Sequence, residues 1–278
     1  MMIVIYMELT LLTLRRTNMS TALVTGASGG IGAVYARRLA ARGYGLVLVA
    51  RSAEKLEALA AELRAAHAVA VEVLPADLTQ AADLAVVETR LRAGAPVDIL
   101  VNNAGAALLG TFEGADPDAM EQLLRLNVTA PTRLASAALP GMVARQTGAI
   151  INIGSVVSLM PAYFPGVYAA TKAFILTLSQ GLHAEVGPKG VYVQAVLPAA
   201  TRTDIWAKSG ADIDQIPNVM EVDDLVDAAL VGFDRREPVT IPPLADEGLW
   251  EALEGARAIF PSGLGGAPAE RYRVPASA

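Results

Sequence analysis

From Thr21 onward, short apolar and β-branched runs alternate with longer Ala- and Leu-rich segments. The runs Ala22 to Thr25, Leu46 to Ala50, Val69 to Leu74, Ile99 to Asn102, Ala149 to Ile153, Val191 to Leu197 and Val239 to Ile241 are continuous in their apolar character. That pattern predicts strands covered on both faces. Between them, helical patterns cover Ile31 to Arg42, Ala53 to Ala66, Gln80 to Arg92, Pro117 to Arg145, Val167 to Val186 and Val222 to Arg235. Such alternation predicts an α/β fold, a doubly wound parallel sheet of seven strands with helices on both faces. Ligands of these sheets collect at the carboxyl ends of the strands, so the residues just after each run carry the candidate chemistry.

Composition narrows that chemistry. With 278 residues and 53% hydrophobic content, one large core is affordable, and a single domain is expected over 20–278. The 22 basic and 28 acidic residues give a net charge of −6 with no Lys/Arg run, so no nucleic-acid partner is expected. Cysteine is absent, which excludes disulfides, thiolate nucleophiles and Cys-ligated metals. The two histidines, His67 and His183, lie far apart without a carboxylate cluster, so neither a metal site nor a Ser-His-Asp triad is expected. Residues 1–18 are apolar, interrupted by Glu8 and followed by Arg15 and Arg16. A secretory signal has the reverse order, and the stretch is too short and broken to span a bilayer. Residues 1–19 are therefore expected to be a poorly ordered extension, with a start at Met19 in view, and the protein to be cytoplasmic with no membrane partner.

The first run ends in Thr25-Gly26-Ala27-Ser28-Gly29-Gly30-Ile31-Gly32 and leads straight into a helix. Glycines allow a tight turn and close approach to a pyrophosphate, and the helix N-terminus offers free N–H groups. The second run ends Ala50-Arg51 where an acidic residue would hold the ribose hydroxyl of NAD. A guanidinium suits a 2′-phosphate, so NADP is favoured over NAD, unless Arg51 is simply a solvated charge ahead of a helix. The third run leads to Asp77-Leu78, placed to meet an adenine amino group or, for Asp77, to cap the next helix. The fourth ends in Asn102-Asn103-Ala104-Gly105, small enough to let a cofactor lie close. Finally, Tyr168 and Lys172 stand four apart on one helical face. A free phenol has a pKa of about 10. A neighbouring ammonium lowers it, which suits Tyr168 to acid/base work.

In that order these motifs resemble the short-chain dehydrogenase/reductase family, over about Thr21 to Pro242. The TGxxxGxG turn stands at Thr25, Gly26, Gly30 and Gly32, NNAG at Asn102 to Gly105, the family Asn at Asn127, and YxxxK at Tyr168 and Lys172. Ser155 precedes Tyr168 by thirteen residues, as in the family. The resemblance implies a Rossmann-type fold and an oxidoreductase that interconverts a ketone or aldehyde and an alcohol by hydride transfer. Tyr168 would exchange the proton, Ser155 hold the substrate oxygen, Lys172 bind the nicotinamide ribose and tune the phenol, and Asn127 complete a water-linked path. Asn127 would also mark a kink in a helix that contains Pro131, a reading compatible with that role.

Leu197-Pro198-Ala199-Ala200-Thr201-Arg202-Thr203 matches the family's PGxxxT segment except that Ala199 replaces glycine. Pro198, Thr201 and Thr203 would meet the carboxamide, with strain at Ala199 if that position needs positive φ. The segments Val156 to Val167, with Leu159, Met160, Tyr163 and Phe164, and Ile205 to Met220, with Trp206 and Ile216, would select the substrate. The second would act as a lid around 204–220, although core packing or a subunit contact would explain the same side chains. The tail from Pro243 is expected to lie over the domain or against a neighbouring subunit. A homodimer or homotetramer is implied by the resemblance alone. A cofactor-binding sensor without turnover, or an epimerase sharing YxxxK, remains as an alternative.

Overall fold

The computed structural model describes residues 20–108, 110–163, 166–206 and 212–273. The extension through Met19, Phe164 and the 207–211 portion of the expected lid lie outside them. Seven strands, β1 (Thr21–Thr25), β2 (Gly45–Ala50), β3 (Val71–Pro75), β4 (Ile99–Asn102), β5 (Ala149–Ile153), β6 (Tyr192–Val196) and β7 (Val239–Thr240), form one sheet in the order β3-β2-β1-β4-β5-β6-β7. Every pairing is parallel. The order reverses between β1 and β4, which opens a crevice at their carboxyl ends.

Helices α1 (Gly30–Ala41), α2 (Ala53–His67), α3 (Ala81–Arg92), α4 (Pro117–Leu124), α5 (Ala130–Arg145), α6 (Val167–Val186) and α7 (Val222–Asp234) cover the sheet. The continuous apolar runs are explained by the two cores they feed. Val24, Leu48, Val101 and Ile151 face a cluster with Tyr35 of α1, Leu56 of α2 and Val226 of α7. Their chain neighbours Leu23, Val47, Leu100 and Ile150 face the other side, with Leu84 of α3, Leu134 of α5 and Val186 of α6. Successive strand residues point to opposite faces, so both must be apolar.

One expected element differs. The helical pattern from Pro117 to Arg145 is not uniform: α4 passes through a π-helical turn, Arg125–Thr129, into α5. Asp116 caps its start by accepting from Asp118 N at 3.1 Å, with Pro117 in the first turn. The π-turn carries Asn127.

The chain to Pro242 forms one compact unit and the residues from Pro243 another. The second unit contains α8 (Glu247–Ile259), capped by Asp246, and two 3₁₀ turns, Phe260–Gly263 and Glu270–Tyr272. None of the residues of α8 is buried.

Candidate active site

The glycine turn is held by side chains of β1 and β4. Thr25 Oγ1 donates to Val101 O at 3.1 Å and accepts from Asn103 N at 2.9 Å and Ala104 N at 3.0 Å. Asn103 Nδ2 donates back to Thr25 O at 2.9 Å. Gly26 has φ of 67° and Gly30 of 52°, conformations that L side chains rarely adopt. A Cβ on Gly32 would overlap Gly26 O and Asn103 Nδ2, so α1 approaches the turn closely only because that position is glycine. Ser28 and Ile31, half-buried, complete the mouth of α1, and Thr203 comes within van der Waals reach of a Cβ built at Gly30. The sequence motif therefore becomes a shaped cradle with free helix N–H groups, as a pyrophosphate requires.

Along the crevice, Arg51 is exposed at the end of β2 and its charge is felt by Asp77. Burial works to raise the Asp77 carboxyl, but hydrogen bonds from Thr79 and the Arg51 charge outweigh it and hold the group below its ordinary value. Asp77 Oδ1 accepts from Thr79 N at 3.0 Å and Thr79 Oγ1 at 2.7 Å. It therefore closes a local Asx turn and is not the cap of α3, whose N-cap is Gln80 without a side-chain bond. The Leu78 side chain is buried in the same core cluster as Leu84 of α3.

Tyr168 and Lys172 lie in the first turns of α6. Ser155, just beyond β5, neighbours the Tyr168 phenol and favours its ionised form. Its Oγ also meets Pro198 O at 3.3 Å, while Pro198 O accepts from Val156 N at 2.9 Å, so the segment after β6 braces the serine. Lys172 is buried, with Nζ donating to Ile153 O at 3.0 Å and lying 5.8 Å from the Tyr168 ring centroid. Asn127 Oδ1 accepts from Ala106 N at 3.0 Å, and Nδ2 donates to Ala106 O at 3.0 Å and Thr171 Oγ1 at 3.1 Å. A Cβ placed on Gly105 would stand 3.3 Å from Asn127 Oδ1 and 3.7 Å from Lys172 Nζ. Gly105, Asn127 and Lys172 thus converge on one point.

Electrostatics modify one expectation. Burial pushes the Tyr168 phenol up, and the neighbouring Ser155 hydroxyl only partly offsets it. The lowering expected from Lys172 does not prevail, and burial also lowers the ammonium itself, to about 8. Ala199 brings no strain, since it is absent from the non-glycine residues with positive φ. Thr201 is buried, its carbonyl accepting from Trp206 Nε1 at 2.7 Å and its backbone bridging to Met220. Arg202 clamps the same segment through Asp214 at 2.8 Å and Glu221 at 2.9 Å. His183 Nδ1 meets Val193 O at 3.2 Å and His67 is exposed at the end of α2; no metal-binding cluster occurs among the described residues.

Sequence reasoning missed the knot made by the Thr25 hydroxyl, the Ile153 carbonyl that seats Lys172, and Thr171. Thr25 was visible as the head of the glycine turn. The other two are defined by contacts between distant elements and had no sequence signal.

Comparison with known proteins agrees with this geometry. A family model described as short chain dehydrogenase matches residues 20–214. A structure of a short-chain dehydrogenase from Sphingobium yanoikuyae in complex with NADPH is 58% identical, with a TM-score of 0.90 over 92% of this chain and 100% of that one. The bulky-bulky ketone specific alcohol dehydrogenase from Comamonas testosteroni is 50% identical, with a TM-score of 0.85 over 92% of this chain and 99% of its own. Very-long-chain 3-oxoacyl-CoA reductase from Anas platyrhynchos is 36% identical over 200 residues, 69% of this chain. The match spans 63% of that relative's length. Cradle, strand ends and helix face thus occur together in a chain that belongs to the short-chain dehydrogenase family of oxidoreductases.

Proposed function

We propose that the protein is an NADP(H)-dependent oxidoreductase that interconverts a carbonyl compound and its alcohol, with Tyr168 as the general acid and base. The observation that carries this reading is the gathering of Tyr168, the buried Lys172 held by Ile153 O with Nζ 5.8 Å from the Tyr168 ring centroid, and Ser155 just beyond the end of β5. The cradle of Gly26, Gly30 and Gly32, the backbone of Asn103 to Gly105, and Lys172 fit a dinucleotide, and Arg51 fits its 2′-phosphate. Once bound, that cofactor supplies or accepts the hydride.

The chain's own groups handle the oxygen and the proton. In reduction, negative charge grows on the carbonyl oxygen, the Ser155 hydroxyl donates a hydrogen bond to it and Tyr168 Oη gives it a proton. In oxidation, Tyr168 Oη takes the proton from the alcohol. A phenol kept protonated by burial is ready for the first direction. Lys172, held by Ile153 O, places positive charge beside the phenolate that forms. Asn127 holds the Ala106 backbone across from it.

For substrate, we favour a ketone with bulky apolar substituents. The 50% identity to an alcohol dehydrogenase specific for bulky-bulky ketones supports this, as do Met160, Tyr163 and Trp206 in the segments following β5 and β6. The test is NADPH oxidation with such ketones. Tyr168→Phe is expected to reduce kcat by about 10²- to 10⁴-fold while NADPH still binds. Wild-type turnover in that variant would overturn the assignment.

A further inference from the structure

The helix bearing Tyr168 and Lys172 is tied to β5 at a second place, two turns along the helix from Lys172. Ser179 is 0% exposed, Asn152 1% and Asn102 6%, and they form a chain of side-chain hydrogen bonds through the core. Asn102 Nδ2 donates to Asn152 Oδ1 at 2.9 Å, Asn152 Nδ2 donates to Ser179 Oγ at 2.9 Å, and Ser179 Oγ donates to Ile175 O at 2.7 Å. Asn102 and Asn152 are register partners across β4 and β5. Asn152 directly precedes Ile153, whose carbonyl seats Lys172, and lies three residues before Ser155. On the helix, Ser179 follows Lys172 by seven residues and Tyr168 by eleven, so all three lie on one face.

We propose that Ser179 and Asn152 are positioning residues that fix the axial register of α6 against β5 and so hold Lys172 on the Ile153 carbonyl and Tyr168 at the end of β5 beside Ser155. Apolar packing around α6 resists separation but tolerates small sliding and rolling. A hydrogen bond about 10 Å along the axis from Lys172 does not, because it is directional and its loss leaves a buried amide unpaired. Catalysis is sensitive to displacements of about 1 Å, so a register lock remote from the chemistry acts on turnover before it acts on binding. Asn102 orients the lock: with Nδ2 donating to Asn152 Oδ1, the Asn152 Nδ2 group is left to point at the helix. Asn102 and Asn152 also bond β4 to β5 side chain to side chain, which carries the lock to the strand that ends in the NNAG segment.

This inference rests on Tyr168 being the acid/base group, and the experiment separates the two. In the full chain, Ser179→Ala and Ser179→Thr are compared with Tyr168→Phe and the double variant Ser179→Ala/Tyr168→Phe. Steady-state kinetics with NADPH and a bulky ketone, thermal melts, and NMR titration of the Lys172 side chain without cofactor are recorded for each. Ser179→Ala is expected to lower kcat at least tenfold, with KM and NADPH affinity within about twofold. Ser179→Thr keeps the hydroxyl and is expected to restore most of kcat. The double variant is expected to be no slower than Tyr168→Phe alone, and Lys172 is expected to titrate closer to an ordinary lysine in Ser179→Ala. A lower melting temperature with unchanged kcat, or equal kcat for the Ala and Thr variants, would overturn the register lock. Full activity of Tyr168→Phe would instead overturn the assignment on which it rests. If Ser179→Ala does not fold, the Thr variant's Lys172 titration and kcat decide, both being expected at wild-type values.

Discussion

At the scale of single residues, the site depends on two ionisable groups that burial moves in opposite directions. The Tyr168 phenol is raised and the Lys172 ammonium lowered to about 8, each toward its neutral form. The lysine gives a prediction with a definite sign. Its folded value lies below that of the unfolded chain, about 10.4, so between the two the unfolded chain binds more protons and stability rises with pH. Below pH 8 the full penalty of the buried charge is present. Lys172→Met, which removes that charge, is expected to melt higher than wild type at pH 7, with the difference constant below about pH 8 and shrinking above it toward about pH 10.4. Thermal melts across that range check it, and a pH-independent difference would count against it. The buried tyrosines, raised in the fold, reduce stability only above about pH 10, outside this window. The spacing of Tyr168 and Lys172 was legible because four residues bring two side chains onto one helix face. The direction of the phenol's shift was not, since it depends on what encloses the ring.

At the scale of elements, apolar runs located all seven strands, because the central ones, β1, β2, β4 and β5, must feed two cores at once. The break in the helix at Asn127 was legible as a kink, but its form, the π-turn at Arg125–Thr129, was not. Its cause is not local propensity but the grip of Asn127 on Ala106 and Thr171, residues from two other parts of the chain. The glycine turn shows the same limit in sharper form. Gly29, at a variable position of the turn, and Gly32, one of its motif glycines, look alike in the sequence yet are structurally unlike. Gly29 has an extended φ of 174° and open space where a Cβ would go, whereas Gly32 abuts Gly26 O. Gly29→Ala is therefore expected to leave the melting temperature nearly unchanged. Gly32→Ala must push α1 away from the turn and is expected to weaken dinucleotide binding more than about tenfold, with a destabilisation of about 1–3 kcal/mol. Fluorescence titration with NADPH and thermal melts of the two variants distinguish these outcomes. Equal behaviour would mean that the close approach of α1 does not matter for binding.

At the scale of the whole molecule, a chain of net charge −6 is proposed to bind a polyanion, so long-range attraction cannot provide the recognition. The discrimination must be local, and the distribution of ion pairs indicates where. Arg37 and Arg38 on α1 and Arg42 at its C-terminal cap are engaged with Glu62, Asp227 and Asp234. Arg51 has no ion-pair partner within contact distance among the described residues, and it stands exposed where β2 ends. Its guanidinium is available to a phosphate, whose charge-assisted contact contributes about 1.5–3 kcal/mol, a factor of about 10 to 100 in affinity. NADPH is therefore expected to raise the melting temperature more than NADH at equal concentration. Arg51→Asp should reverse that order, because a carboxylate repels the 2′-phosphate and accepts from the free ribose hydroxyl of NADH. An exposed contact is also screened, so the NADPH advantage should narrow as salt rises from about 0.05 to 0.5 M, while NADH binding changes less. Equal stabilisation by the two cofactors in the unaltered protein would refute the assignment of Arg51 and leave the cradle as a site for either.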